Sequence, residues 1–436
     1  MAGIQLAPAQ SVVWIRTLAA SLLLGAVLQA CAAPAEAPPT TTAIPPTATA
    51  PASHSATPPP MTSPTPLPGV VGPAYRPGFN PLTGLPVLDP ATLQQAPLLV
   101  SVTNFPVSAR PQAGLSLASI VWEISIGEGM SRFLAVFYGD YVANLERLLA
   151  ERPLDSPYGY VIAPIRSGRV VYEDIKVLFP DATLITRGAS AEVRPQLSNR
   201  VGVFAASAQD VNSAGLTLDD LRSLPVLQVM PQDHAGLLFT RQPPGGGTPA
   251  SSLRLIYNRY DHVGWQYSGE RGSYLRSQDR ADDSGILFPA IDRLTGEQLA
   301  FENVLIVFAN HHFENTAGTI LEIDLLNRSG LPGLLFRDGL EYPVSWSTEQ
   351  GKLKIQTEAG DPLGLKPGRT FIEVVSFQSS WDDEGKLLRF HSPALPTETP
   401  GPTWTPSVTL TPAETATPEP TAEEEPSATP EPGATP

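Results

Sequence analysis

"SIVWEISIGEGMSRFLAVFYG", residues 119–139, decides how this chain folds. Residues 119–127 and 132–139 are runs of β-branched and aromatic side chains, and Gly127 and Gly129 between them mark a tight turn. The stretch predicts two strands joined as a hairpin, with Glu128 and Arg132 on either side of the turn. Those two charges are candidates for a polar site; a surface ion pair on a hairpin is the plain alternative.

Working outward, "LLVSVTNF" (98–105), "YGYVIAPI" (158–165) and "ATLITRG" (182–188) have the same strand character. "SGRVVYEDIKVLFP" (167–180) reads as a helix, because Val171, Ile175, Leu178 and Phe179 recur on one face. Ser167 suits its N-cap and Pro180 its stop. "TLDDLRSL" (217–224) is a second short helix, with Thr217 and Asp220 at capping-box spacing. "RQPPGGGTPASS" (241–252) is a loop by composition and is expected to join two domains. Beyond it the text is mostly strand: 253–258, 264–269, 303–313, 319–326 and 369–377. In "LLFRDGLEYPVSW" (334–346), Asp338-Gly339 signals a two-residue hairpin. The expected class is α+β, with a mixed α/β N-terminal domain over 76–240 and a β-rich C-terminal domain over 253–392.

The ends of the chain differ in kind. Half of the 48 prolines fall in residues 32–75 and 396–436, among Thr, Ala and Ser. Such text has too little apolar surface to offset the entropy of ordering, so 32–75 and 393–436 are expected to be disordered. The formal net charge is −15, and seven tail glutamates account for −7 of it. The absence of a basic stripe argues against a nucleic-acid partner. Residues 17–30, "TLAASLLLGAVLQA", are apolar after Arg16 and suit the h-region of a signal peptide. The run ends in Leu28-Gln29-Ala30-Cys31, which resembles the bacterial lipobox, where the cysteine is lipidated and becomes the mature N-terminus. Cys31 is the only cysteine, so no disulfide can form within the chain. An ordinary signal peptide with an incidental cysteine is the alternative. A lipid anchor at Cys31 followed by an extended tether, at about 3.1 Å per residue, would hold the folded part up to roughly 140 Å from the membrane.

The usual catalytic signatures are missing: no G-x-S-x-G, H-E-x-x-H, P-loop or EF-hand loop occurs. His311 and His312 would point to opposite faces of a strand and read as a strand end rather than a metal pair, so neither metal nor cofactor is expected. Three segments carry candidate ligand-binding residues: Asn104, Arg110 and Gln112 on a loop; Glu123, Glu128 and Arg132 about the hairpin; and Arg166, Ser167 and Arg169 at the predicted helix start. Arginine forks and a helix N-terminus favour a carboxylate or phosphate. Pairing of Arg166 and Arg169 with Glu173 or Asp174 is the competing explanation.

Motifs across the folded region add a resemblance. "NPLTGLPV" (80–87), "NFPVSARPQAGLSLASIVWEISIGEGMSRFLAVF" (104–137) and "APIRSGRVVYEDI" (163–175) resemble the N-terminal domain of the YerB-like family of bacterial lipoproteins. "GSYLRSQ" (272–278), "RLTGEQLAFENVLIVF" (293–308), "LLFRDGLEYPVSW" (334–346) and "LKPGRTFIEVV" (365–375) resemble its C-terminal domain. The resemblance implies a two-domain fold and an extracytoplasmic, lipid-anchored location, but no reaction, because the family has no assigned function. Its motif positions fall on Asn104, Arg110, Pro111, Gln112, Gly114, Glu123, Glu128, Arg132, Phe133, Arg166, Ser167 and Arg169. The family commonly shows a His-Gly-Gly-like run after the helix, where this chain has Thr186-Arg187-Gly188. The expected function is binding or scaffolding at the cell envelope, with an anionic polymer or peptide carboxylate held by Arg132, Arg166 and Arg169. The alternatives are an envelope enzyme using Glu123 or Glu128 as general acid or base, and a purely structural surface protein.

Overall fold

The computed structural model describes residues 68–127, 129–154, 156–225, 227–382 and 387–396. Cys31, Glu128, residues 1–67 and the tail from 397 lie outside the described residues. Val70–Val71, within the stretch expected to be disordered, pairs antiparallel with Phe239–Thr240; the longer strands begin with β1 (Leu98–Thr103), β2 (Ile120–Ser125), β3 (Ser131–Phe137), β4 (Thr183–Thr186) and β5 (Arg200–Gly202). Helices α1 (Tyr141–Glu151), α2 (Val171–Lys176) and α3 (Leu218–Ser223) fall in the same part of the chain. There follow β6 (Ser252–Asn258), β7 (Asp261–Ser268), β8 (Ser273–Gln278) and β9 (Asn303–Ala309). Then come β10 (Leu331–Arg337), β11 (Leu340–Ser347), β12 (Lys354–Gln356), β13 (Thr370–Ser376) and β14 (Leu387–Arg389). No helix among the described residues is long and apolar enough to cross a membrane.

One 11-stranded sheet runs in the order β12-β11-β10-β9-β13-β2-β3-β1-β4-β5. Its eleventh member, Thr248–Pro249, pairs with β11 and comes from the stretch read as an inter-domain loop. Strands from either side of that stretch therefore share the sheet, joined where β2 pairs in parallel with β13. β1, β2, β3 and β13 are buried along their whole length because both sheet faces are covered. Leu99, Trp122, Ile124, Leu134, Ile372 and Val374 face a core that includes Val171, Tyr172 and Ile175 of α2. Val100, Val102, Val121, Phe133, Phe371 and Val375 face a second sheet built on β8-β7-β6-β14.

The local signals explain most elements. Gly127 and Gly129 both have positive φ (84° and 69°) in the β2–β3 turn, a conformation that L side chains rarely adopt. Asp338 and Gly339 also have positive φ (54° and 74°), as a two-residue hairpin between β10 and β11 requires. The Thr217–Asp220 capping box is formed in both directions. Two elements differ from expectation. Residues 158–165 make only isolated bridges, Ala113↔Ala163, Val102↔Ile165 and Ile162↔Leu216, because Pro164 has no N–H to donate to a ladder. The helix expected over 167–180 is shorter, since Arg166 N–H donates to Ser101 O and Gly168 N–H to Gly188 O, which holds that segment extended. Helix α1 is absent from the sequence reading above, although Tyr141, Leu145, Leu148 and Leu149 carry the same helical spacing.

Between the two sheets lies a buried polar joint. Glu123 of β2 and Glu373 of β13 stand side by side in register, and both are fully buried. Glu123 Oε2 accepts from Arg276 Nη2 of β8 at 2.7 Å, and its Oε1 accepts from Ser131 Oγ at 2.6 Å. The Arg276 guanidinium also lies over the Phe133 and Phe371 rings, at 5.1 and 5.4 Å. Glu373 accepts from Tyr257 OH and from Trp265 Nε1, each at 2.9 Å. Burial and the neighbouring Glu123 charge push the Glu373 carboxyl well above its ordinary range. Asp261, at the start of β7, is pushed up to about 8 by burial first and by Glu123 second, with Arg110 and Arg276 opposing.

Removing one partner of a buried ion pair leaves the other charge uncompensated. Glu123→Gln should therefore cost about 3–5 kcal/mol in urea unfolding; a change within error would show that the pair is dispensable. The joint also sets a pH dependence. An acid raised in the folded state binds more protons there than in the unfolded chain, so stability falls as pH rises between its two pKa values. His234 and His311, buried and pushed down to about 4 from 6.5, act in the opposite sense below pH 6.5. From there to about 8 the histidine effect, to which His262 adds, fades and the Asp261 and Glu373 effects dominate, so the urea midpoint should fall with rising pH. Asp261→Asn should flatten that fall; a wild-type midpoint that rises across the window would contradict the placement of Asp261.

Candidate functional site

Side chains alternate between the two faces along a strand, so consecutive residues of β3 serve opposite sides of the sheet. Ser131 and Phe133 point to the buried joint, whereas Arg132 points to the α2 side. The sequence candidates divide along this line. Asn104, Arg110, Gln112 and Glu123 gather at the joint. Asn104 Nδ2 donates to Ser131 Oγ at 2.9 Å and to Glu123 Oε1 at 3.3 Å. Arg110 Nε donates to Asn104 Oδ1 at 3.0 Å, its Nη1 donates to Asp279 O at 2.7 Å, and Gln112 Nε2 donates to Thr103 O at 3.1 Å. Arg110 Nη2 and both carboxylate oxygens of Asp261 and Asp279 are buried there without a hydrogen-bond partner, with Arg110 Nη1 facing Asp279 Oδ1 at 3.9 Å. Both Glu123 oxygens are held by buried partners, Arg276 and Ser131, so the geometry gives this carboxylate an internal role in the joint.

Arg132, Arg166, Ser167 and Arg169 gather on the other face, at the carboxyl ends of β1 and β4, which run parallel. The backbone fixes them there: Arg166 N–H donates to Ser101 O of β1, and Arg187 N–H, just past β4, donates to Arg166 O. Gly168 allows the close passage, since a Cβ there would lie 2.4 Å from Leu197 Cδ1. Arg132 Nη1 donates to Ser167 O at 3.0 Å and reaches Ser167 Oγ at 3.4 Å; Arg169 Nη1 reaches the same hydroxyl at 3.4 Å. Arg187 is a fourth arginine of the cluster that sequence reasoning missed as a site residue, although an arginine near the end of the strand-like run 182–188 was a visible signal.

These cations repel one another. Burial, with Arg169 and Arg166 adding to it, holds Arg132 down to about 10, and burial followed by Arg187 and Arg169 lowers Arg166. Glu173 is engaged by Lys176 at 2.8 Å and by Ser198 Oγ at 2.6 Å, and Asp174 accepts from the backbone of Leu325 and Leu326. Among the described residues no carboxylate pairs with Arg132, Arg166, Arg169 or Arg187. Arg132 Nε and Thr186 Oγ1 are buried there without a hydrogen-bond partner. A set of guanidinium donors without a counter-ion is chemically suited to an anionic oxygen group. Ser167 does not cap a helix: α2 begins at Val171, is six residues long and has no side-chain cap, so the anion argument rests on guanidinium groups and not on helix N–H groups. Glu128 and Cys31 lie outside the described residues. His311 is buried against Phe390, while His312 lies on the exposed side of the same short strand beside Glu314.

Comparison with known proteins follows the same two segments. Residues 82–223 match a family described as "Protein of unknown function (DUF3048) N-terminal domain", and 253–372 match its C-terminal domain. The chain is 28% identical over 314 residues to "Putative lipoprotein YerB" of Bacillus subtilis (strain 168), covering 68% of this chain and 85% of the relative. It also resembles a crystal structure of the YerB protein from Bacillus subtilis, with a TM-score of 0.53 and 26% identity, over 68% of this chain and 96% of that one. With both family segments present in order, in a chain that aligns with most of YerB, this protein is a member of the YerB-like two-domain family.

Proposed function

We propose that this protein is a lipid-anchored, extracytoplasmic binding protein that holds an anionic group of a cell-envelope polymer or peptide. Arg132, Arg166 and Arg169 are the residues that would contact it, with Ser167 fixing the orientation of two of them. The observation that carries this reading is the cluster of guanidinium groups, with Glu173 and Asp174, the carboxylates that follow Arg166 and Arg169, committed elsewhere. Its place at the carboxyl ends of parallel strands is where α/β sheets commonly receive ligands. The anchor is read from the lipobox-like Leu28-Gln29-Ala30-Cys31, and YerB carries a lipoprotein name. Two or more acyl chains, each burying about 0.8 kcal/mol per CH2, give stable attachment. The family's N- and C-terminal segments would act as one body, since their strands share a sheet.

Two experiments test this. Reversing charge in the double variant Arg166→Glu/Arg169→Glu should abolish retention on cell-envelope fractions while leaving the unfolding midpoint no lower than wild type, because both side chains are only half-buried and their mutual repulsion is relieved; undiminished retention would remove the proposal. Cys31→Ala should lose incorporation of a clickable fatty acid and move the protein out of the membrane fraction. Label that persists in this variant would refute the anchor at Cys31.

A further inference from the structure

We infer that the anion held by the arginine cluster is a phosphoryl group and not a carboxylate, and that Arg187 and Thr186 belong to the site. The inference rests on the anion-binding reading above and sharpens its ligand class. A carboxylate is planar, carries one negative charge, and has its bidentate edge filled by a single guanidinium fork. Here the forks come from three separate segments: Arg132 from the start of β3, Arg166 and Arg169 from the extended segment before α2, and Arg187 from the end of β4. One carboxylate would leave most of that charge uncompensated in a partly desolvated place. Phosphoryl oxygens are disposed tetrahedrally, so guanidinium groups can approach them from different planes, and a monoester adds up to a second negative charge.

The interior of the cluster fits the same group. Arg132 is only 5% exposed, and its Nε has no partner while Nη1 is committed to Ser167. Thr186, with no exposed surface, has a hydroxyl with no partner, and it directly precedes Arg187. This hydroxyl, free to donate, adds a donor on the strand that ends at Arg187 and suits a ligand with more acceptor oxygens than the two of a carboxylate. Tyr172 neighbours Arg132, and its hydroxyl lies 3.0 Å from Ser101 Oγ.

The test is calorimetric titration of the full chain in detergent micelles with inorganic phosphate and, separately, with acetate. Phosphate should bind at least tenfold more tightly than acetate. Arg187→Gln should weaken phosphate at least tenfold with no change in the unfolding midpoint measured without phosphate. Thr186→Val, a volume-conserving change, should weaken phosphate several-fold. Acetate binding as tightly as phosphate would overturn the phosphoryl assignment while leaving the anion site standing; binding of neither anion would overturn both. Unchanged phosphate affinity in Arg187→Gln would overturn the assignment of Arg187. A soluble glycerol-phosphate oligomer and phosphatidylglycerol vesicles, tested in parallel, separate an envelope polymer from a lipid headgroup as the source, and failure of both to compete with bound phosphate would overturn a phosphoryl ligand of the envelope.

Discussion

The parallel pairing of Ile120–Glu123 with Thr370–Glu373 is the constraint on which the rest of the structure depends. It brings together segments far apart in the chain, and the loop-closure entropy of that step is recovered only when the flanking strands dock on both sides. It also imposes a cost. The register sets Glu123 beside Glu373 on the same buried face, where two charged carboxylates could not both persist. Arg276 from the second sheet neutralises one, and Tyr257 and Trp265 satisfy the other. The three segments are thus specified together: a shift of β13 by one residue would move Glu373 to the α2 face and leave its partners unpaired.

The same alternation that builds the joint builds the cation cluster. Ser131 closes the joint and Arg132, its neighbour, opens the other face. The two differ in the balance of charge: acids outnumber bases at the joint, and among the described residues bases stand without paired acids at the cluster. The chain as a whole carries −15, which by itself would repel a polyanion. Screening makes that long-range field weak beyond about 8 Å at physiological ionic strength. Close-range guanidinium contacts would therefore decide the affinity of the proposed anion, and the global charge mainly favours solubility.

Much of the fold was legible along the chain. Strand runs, the Gly127/Gly129 and Asp338-Gly339 turns and the Thr217 cap are signals contained within a few residues, and they appear where such signals put them. Residues 158–165 and the head of α2 departed because their backbone groups are claimed by partners distant in sequence, such as Ser101 and Gly188. Of the candidate residues, the arginines were recognisable as anion ligands by type. Asp261, Arg276, Asp279 and Glu373 were not, since nothing in their local text distinguishes a buried joint from a solvated strand.

The amino-acid order alone determined most strands, helix α3, the Gly127/Gly129 and Asp338-Gly339 turns, and which residues carry charge suited to an anion. Only the tertiary structure decided that the Arg-bearing segments divide between two faces, that Glu123 is a closed internal partner, and that Arg187 joins Arg166. The reason is that side-chain periodicity is a local property of a strand, whereas the neighbours of a side chain follow from register between strands that no short window of sequence contains.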